Sequence, residues 1–355
     1  MDRPHVDILI ISFDNISDTR ECLDSVLRTV YPDFTVHVVD NGSDNAGFRQ
    51  LKQEFPDPRL RFTRNRDNPG FAVTNNRLLS RVGGPLAVLL NNDTTVDPKW
   101  LTHLVRRMMS DTILIACQPK IRSYYHRSYF DYAGGGGGYI DALGYPYVRG
   151  RVGFVLEKDT GQYDDPAGIQ WASGSAMMVR IRDFARVGKL EETFFMYQEE
   201  IDWCWRALRL GYRIGFTPES VVYHKGAQAA KHNLDRRTYL VHRNNLLMVA
   251  RNAPVTALIW IIPVRIVLDL AAAAYYLGKG HAGFVGSVVA AYAAFLRRLP
   301  GVIASRKSSG ITERKIRFRP LSMYLAYFLL GRRRYSELVG LRQRNTSQLI
   351  AYTIY

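Results

Sequence analysis

The sequence predicts an α/β protein: a mostly parallel sheet with helices on both faces, continued by a helical, basic C-terminal region. Three observations predict it. Apolar β-branched runs alternate with segments of helical period through the first half. Polar clusters close three of those runs, and the balance of charge changes sharply near residue 250.

Val6–Phe13 is a near-continuous apolar run, as expected of a strand covered on both faces. Asp18 and Glu21 offer an N-cap and N3 pair for a helix carrying Cys22, Leu23, Val26, Leu27 and Val30 at helical spacing. The strand Thr35–Val39 ends in the turn cluster Asp40-Asn41-Gly42-Ser43. Helical spacing returns at Phe48, Leu51 and Phe55, a short strand follows at Leu60–Thr63, and a helix at Phe71, Asn75, Leu78 and Val82. Leu86–Leu90 is a further apolar strand, closed by Asn91-Asn92-Asp93. Ligands of such sheets bind outside the carboxyl ends of the strands, so the clusters beginning at Ser12, Asp40 and Asn91 are expected to share one site.

Residues 123–170 are rich in Tyr and Gly and lack a period, which predicts a long irregular insertion. Gly134–Gly138 is followed by no Lys-Ser or Lys-Thr, so it is expected to be a flexible hairpin tip and not a phosphate loop. Beyond Trp171 the pattern becomes regular. Ala176–Ile181 is strand-like, Glu199–Leu210 is a helix with Ile201, Trp205 and Leu208 on one face, and short strands at Arg213–Phe216 and Ser220–Tyr223 lead to His224.

The chain has 355 residues, a net charge of +16 and 3 cysteines. That length allows two or three domains and excludes disorder of the whole. Cys22, Cys117 and Cys204 are too few and too scattered for a disulfide framework or a short-spaced zinc site, and a reducing, cytoplasmic compartment is expected. The apolar run at Val6 contains Asp7 and follows no basic segment, so it does not read as an export signal.

Charge divides the chain. Residues 1–250 hold 32 Lys and Arg against 29 Asp and Glu, whereas residues 251–355 hold 16 against 3. In the second part, uncharged runs of 13 residues (Asn252–Val264), 9 (Leu270–Gly278) and 17 (Gly280–Leu296) are bordered by Arg297-Arg298, Arg306-Lys307, Arg314-Lys315, Arg317, Arg319 and Arg332-Arg333-Arg334. Only the longest run approaches the roughly 17–25 residues of a spanning helix. Apolar helices edged by basic clusters favour an anionic membrane surface over a buried helical subdomain or nucleic acid, which is not expected as a partner.

Asp40, Asp93, the acidic cluster Glu199, Glu200 and Asp202, and His224 are the candidates for chemistry. A carboxylate after a strand, backed by amides, suits Mg²⁺ or Mn²⁺, and an imidazole is more comfortable with Mn²⁺. A second carboxylate away from the metal could act as general base for a hydroxyl. Each has a plainer reading: Asp93 as a helix cap, Asp202 as an i,i+4 partner of Arg206, and His224 as a satisfied structural residue.

Six motifs stand in order: Val39-Asp40-Asn41-Gly42-Ser43, Asn68-Pro69-Gly70-Phe71-Ala72 with Asn75 and Asn76, Leu90-Asn91-Asn92-Asp93-Thr94, Trp171-Ala172-Ser173-Gly174-Ser175-Ala176, Tyr197-Gln198-Glu199-Glu200-Ile201-Asp202-Trp203, and Tyr223-His224-Lys225-Gly226. Arg243-Asn244-Asn245-Leu246 extends them. The series resembles the inverting family 2 glycosyltransferases of GT-A fold, a Rossmann-like architecture, and within them the rhamnosyltransferase-like bacterial branch. The resemblance covers residues 6 to about 250, so 1–250 is expected to be the transferase domain and 251–355 a membrane-docking region.

The resemblance implies roles by position. Asp40 contacts the donor nucleobase with Ser12 and Asp14 beside it, while Asn68, Gly70, Asn75 and Asn92 shape the rest of the donor site. Asp93 matches the last acid of the family's metal-binding Asp-X-Asp, whose first position is Asn91 here, and this shifts weight onto His224. Glu200 is the implied base with Glu199 in reserve, and Trp171 and Asp202 are placed on the acceptor side. The implied partners are a divalent cation, a nucleotide-sugar donor (dTDP-rhamnose, then UDP-hexoses) and a glycan or lipid-linked acceptor at the inner face of the cell membrane. A dehydrogenase is excluded because Phe13-Asp14-Asn15-Ile16-Ser17 holds no Gly, and a nucleotidyltransferase because no Gly-rich, Arg-containing loop stands there. The remaining rival is a degenerate domain serving as a membrane scaffold or glycan-binding module.

Overall fold

A computed structural model describes residues 3–43, 45–166, 168–226, 234–308, 322–340 and 348–351. Strands and helices alternate through β1 (Val6–Ser12), α1 (Ile16–Leu27), β2 (Phe34–Asp40), α2 (Asn45–Glu54), β3 (Leu60–Arg64), α3 (Phe71–Leu79), β4 (Leu86–Asn91), β5 (Thr94–Val96), α4 (Trp100–Met109) and β6 (Leu114–Ser123). The insertion carries β7 (Gly138–Ile140), β8 (Pro146–Val148), β9 (Arg151–Val152), β10 (Val155–Glu157) and β11 (Gly168–Ile169). Then come β12 (Ala176–Arg180), α5 (Ile181–Val187), a 3-10 turn (Glu192–Phe194), α6 (Glu199–Arg209), β13 (Arg213–His224) and α7 (Leu234–Asn252). The C-terminal part holds α8 (Val255–Gly278), α9 (Ala282–Ser308), α10 (Met323–Phe328), α11 (Tyr335–Leu338) and β14 (Leu349–Ala351).

The main sheet runs β11-β13-β6-β12-β4-β1-β2-β3, with β5 paired to β13. The strands β4, β1, β2 and β3 are parallel, and β12 enters antiparallel between β4 and β6. Alternate side chains serve two cores. Ile8, Ile10, Val36 and Val38 pack with Leu23 and Val26 of α1 and Leu104 of α4, while Leu9, Val39 and Leu89 share the other core with α3, α6 and α7. Helices on both faces are the reason Ile8–Ile11 of β1 and Leu86–Leu90 of β4 are apolar on both sides of the sheet.

Four sequence expectations need correction. The α1 cap is Asn15, whose side chain accepts from the Asp18 amide at 3.3 Å, so Asp18 sits at N3 instead of at the cap. The two short strands before His224 are one strand, β13, with a register shift between Thr217 and Val221. The insertion is ordered: β7 to β10 and β14 form a second sheet, and the Gly134–Gly138 run is buried, with Gly138 lying against the Trp171 ring where any Cβ would collide. The first two uncharged C-terminal runs are one helix, α8, continuous through Arg265 and Asp269; both α8 and α9 are long and apolar enough to cross a membrane.

The compositional boundary at 250 falls at the end of α7, but the core does not divide there. Leu246, Ile261, Phe295, Val302 and Met323 share one cluster with Ile201 and Trp203. The basic residues Arg314, Lys315, Arg317 and Arg319 lie outside the described residues.

Candidate active site

Parallel register brings the polar strand ends together: Ser12 stands opposite Asp40 and Ile11 opposite Asn91. Asp40 is fully buried. Its Oδ1 accepts from the Ser43 amide at 3.0 Å and its Oδ2 from Arg64 Nε at 2.8 Å, so it shapes the turn through Ser43, whose Oγ accepts from the Asp14 amide at 2.7 Å. Asp14 is exposed at the rim of this edge. Asn68 accepts from Asn41 Nδ2 at 3.2 Å and from the Gly70 amide at 3.0 Å. Asn92 donates to Thr19 Oγ1 at 2.9 Å. Asn75 donates to the Phe71 carbonyl, and its buried Oδ1 has no partner among the described residues. Ser12 is turned inward, its hydroxyl shared with Thr19, and Gly70 faces the carbonyl of Phe195; both support the edge from beneath.

The pairing of β5 with β13 sets His224 opposite Thr94, and the Lys225 amide donates to the Asp93 carbonyl at 2.9 Å. This puts His224 Nε2 3.3 Å from Asp93 Oδ1. On the other side of the ring, Nδ1 meets Asp131 Oδ1 at 3.0 Å, and Tyr132 stacks on the ring at 5.9 Å. Burial alone would push the His224 pKa down, but the two carboxylates outweigh it and hold it well above its ordinary value. Burial likewise opposes the charge on Asp93, and His224 overcomes this to hold its pKa below the usual range.

These residues fit a divalent cation. Asp93 Oδ1 is buried without a hydrogen-bond partner, an imidazole nitrogen stands beside it, and the other imidazole nitrogen is held by a carboxylate, as in many metal-bound histidines. No group of three or more such side chains able to hold a metal is found among the described residues, so of these Asp93 and His224 would hold the ion, with phosphate oxygens and water as the further ligands such ions usually take. Asp131, in the loop after β6, escaped the sequence reading; a lone Asp before the glycine run carried no signal of its own.

Glu199 and Glu200 open α6 behind a turn in which Phe195, Tyr197 and Gln198 have φ of 67°, 73° and 75°. Non-glycine residues in that region cost about 1–3 kcal/mol each and persist only when the surroundings hold them. The Arg243-Asn244-Asn245 run of α7 does so. Asn244 Nδ2 lies 2.9 Å from each of the Phe194, Met196 and Tyr197 carbonyls, Arg243 Nη2 donates to Thr193 and Phe194, and Asn245 donates to Gln198 Oε1.

The Gly174 amide donates to Glu200 Oε1 at 3.4 Å, and the Asn91 amide donates to the Ser175 carbonyl at 3.0 Å. Burial raises the pKa of both glutamates. It raises Glu199 further, because the charge of Glu200 adds to its burial. The two residues expected on the acceptor side are both buried. Asp202 is fully buried, with its oxygens taken by Arg206 at 2.9 Å, Asn252 at 2.7 Å and Arg251 at 3.3 Å; it ties α6 to α7. Trp171 is buried and donates to the Tyr139 carbonyl at 2.8 Å beneath the insertion.

The family model described as glycosyl transferase family 2 matches residues 7–150. The O-antigen biosynthesis protein RfbC of Myxococcus xanthus is 25% identical over 229 residues, which is 63% of this chain and 18% of that protein. Rhamnosyltransferase WbbL of Escherichia coli K12 is 39% identical over 56 residues, 16% of this chain and 21% of that protein. The chain thus spans only about a fifth of the length of these curated relatives. Among solved structures, the mannosyltransferase PcManGT of Pyrobaculum calidifontis, in complex with GDP-Man and Mn²⁺, superposes with a TM-score of 0.52 over 87% of this chain and 89% of that one, at 15% identity. Six motifs in order and a sheet whose strand ends converge as they require agree with these likenesses: residues 7–150 are similar to glycosyl transferase family 2, and the chain has the GT-A fold of the solved glycosyltransferases.

Proposed function

We propose that this chain is an inverting glycosyltransferase that moves a sugar from a nucleotide-diphosphate donor to a hydroxyl of a glycan or lipid-linked acceptor in bacterial polysaccharide synthesis. The donor favoured is dTDP-rhamnose, with UDP-hexoses next, and the enzyme works on the inner face of the cell membrane. One observation carries the reaction class: Glu200 and the Asn91–Asp93 turn are joined through Ser173–Ser175, so a base and a diphosphate-binding edge flank one short segment.

Asp40, Asn41 and Asp14 hold the nucleobase side, and Asn68, Asn75 and Asn92 the ribose and phosphate side. Asp93 and His224 would hold Mn²⁺ or Mg²⁺, which when bound neutralises charge on the departing diphosphate. Glu200 accepts the acceptor's hydroxyl proton as that oxygen bonds to the anomeric carbon and the bond to the diphosphate breaks. Attack from the face opposite the leaving group inverts the centre through an oxocarbenium-like transition state. Burial and the charge of Glu200 both oppose ionisation of Glu199, which disfavours a second charge beside the base.

The test is a thermal-shift comparison of dTDP, UDP and GDP, each with Mn²⁺ and with chelator, followed by donor turnover with and without acceptor. Stabilisation by dTDP or UDP that chelator removes, together with nucleotide release, is the expected result. Nucleotide binding without release under any acceptor would instead favour the binding-module reading.

A further inference from the structure

We propose that α8 and α9 lie lengthwise in an anionic phospholipid surface, and that a cleft at Arg297 and Arg298 holds a lipid headgroup phosphate. The polarity of α8 is the reverse of a soluble protein's. Ile261, Arg265, Asp269 and Ala273, four residues apart, form its inward stripe, with Arg265 1% exposed. Outward stand Val255, Ile259, Val267, Leu270 and Leu277, with Ile259 73% and Leu270 62% exposed. On α9, Val289, Leu296 and Ile303 recur every seven residues and form a second exposed apolar line. Only 22% and 33% of the most apolar windows of the two helices are buried, which separates them from the core helices of a soluble protein.

The inward charges find partners within the protein, with Arg265 Nε alone of their polar atoms buried and unpaired among the described residues. Arg265 donates to the Asn245 side chain and lies 4.0 Å over the Tyr145 ring, and Asp269 accepts from Tyr292 at 2.7 Å and Tyr145 at 3.3 Å. Such a network needs no water on its outer side. One side of α9 packs along α7, a helix carrying Asp235, Arg236, Arg237 and Arg251. The hairpin therefore lies against a polar body, a posture that suits the plane of the interface and not a crossing of the bilayer.

Charge decides the occupant. A cleft of about 340 Å³ between α7 and α9 is lined by Arg251, Arg297, Arg298 and Glu191. Arg251 is spent on Glu191 and Asp202, whereas Arg297 and Arg298 have no ion-pair partner among the described residues. Two uncompensated guanidiniums match a phosphate, which they bind in fork geometry. Leu296 immediately precedes them, so a phosphate in the cleft has its acyl chains beside the apolar line of α9. A second copy of this chain would set the same arginines against one another; an anionic bilayer sets phosphates against them. The purpose, access to a membrane-borne acceptor, rests on the function proposed above, but the binding itself does not.

The full chain, without donor or acceptor, is mixed with vesicles of phosphatidylcholine alone or with phosphatidylglycerol, using acyl chains with and without bromine. Trp260 is 46% exposed while Trp100, Trp171, Trp203 and Trp205 are buried, so bromine quenching reports α8. The expected result is quenching on anionic vesicles that Trp260→Phe and Leu270→Glu abolish. Arg297→Gln with Arg298→Gln should weaken binding to phosphatidylglycerol vesicles by about 30-fold, at roughly one charge contact per arginine, with no change on phosphatidylcholine alone. Absence of quenching, an unchanged preference in the arginine variant, or release by millimolar inorganic phosphate would each overturn the proposal. An unchanged nucleotide thermal shift in every variant confirms the fold and keeps this outcome separate from that of the donor test.

Discussion

Asp131 Oδ1 lies 3.0 Å from Nδ1 of His224, and Nε2 of the same ring faces Asp93 Oδ1 at 3.3 Å. The first contact makes Nδ1 the donor and turns the other nitrogen toward Asp93 Oδ1, a buried oxygen with no hydrogen-bond partner among the described residues. Asp131→Asn keeps the shape and removes the charge that orients the ring. We expect the Mn²⁺ requirement for nucleotide binding to rise about 10- to 100-fold, read as the metal concentration needed for half the UDP or dTDP thermal shift. An unaltered metal titration would leave Asp131 a structural residue.

Glu200 and Glu199 are distinguished by how strongly their surroundings oppose ionisation, Glu199 feeling both burial and the charge of Glu200. A base must be ionised, and burial raises the Glu200 pKa, so transfer should increase as pH rises through a value above the ordinary glutamate range and be lost below it. The same shift means that folding favours the protonated carboxyl, and ionising it costs stability at neutral pH. Glu200→Gln should therefore lower kcat by about 10²- to 10⁴-fold without lowering the melting temperature. Glu199→Gln replaces the carboxyl whose ionisation burial and the charge of Glu200 both oppose, and it should retain both the rate and its pH limb. Equal losses in the two variants would contradict this assignment.

Gly70 shows why a glycine is required on the donor side. Its φ is 93°, an added Cβ would stand 2.6 Å from the Phe195 carbonyl oxygen, and the next amide, that of Phe71, donates to that same oxygen at 2.8 Å. Gly70→Ala must strain the backbone or push away the turn that delivers the base. A loss of about 1–3 kcal/mol in urea denaturation is expected, with a fall in kcat. Full stability and full activity in this variant would show that the clamp between α3 and the turn is dispensable.

Strands, helices and their polar ends were legible because their signals are local: a β-branched run, a 3.6-residue period, an Asp-Asn-Gly-Ser turn. The convergence of Ser12, Asp40 and Asn91 followed from a rule about parallel sheets. Asp131 was invisible because its partner is 93 residues away, across the pairing of β6 and β13. Gly134–Gly138 read as mobile because composition does not disclose that Trp171 covers it. Asp202 stood among acids that looked catalytic, yet two arginines and an asparagine occupy it. Arg265 and Asp269 interrupt an apolar run in the sequence; at four-residue spacing they lie on the one face of α8 that is turned into the protein.

Asn244 is the residue on which the geometry of the base depends most directly. Its side chain is fully buried, and its two N–H groups are shared among the carbonyls of Phe194, Met196 and Tyr197, in a turn whose left-handed residues have no intrinsic preference for that conformation. Asn244→Ala removes this donor from the Met196 and Tyr197 carbonyls, while Phe194 keeps Arg243, at a cost of about 1–3 kcal/mol. A comparable loss arises from Leu23→Ala in the opposite core, at about 2–5 kcal/mol. Stability alone would make the two variants equivalent. If the turn instead sets the position of Glu200, Asn244→Ala should reduce kcat by about 10- to 100-fold, since a displacement of about 1 Å has that effect, with little change in donor KM. Leu23→Ala should keep its kcat at temperatures where it remains folded. Matching kcat values in the two variants would assign Asn244 to stability alone; a loss confined to Asn244→Ala would identify α7 as the element that holds the base in place.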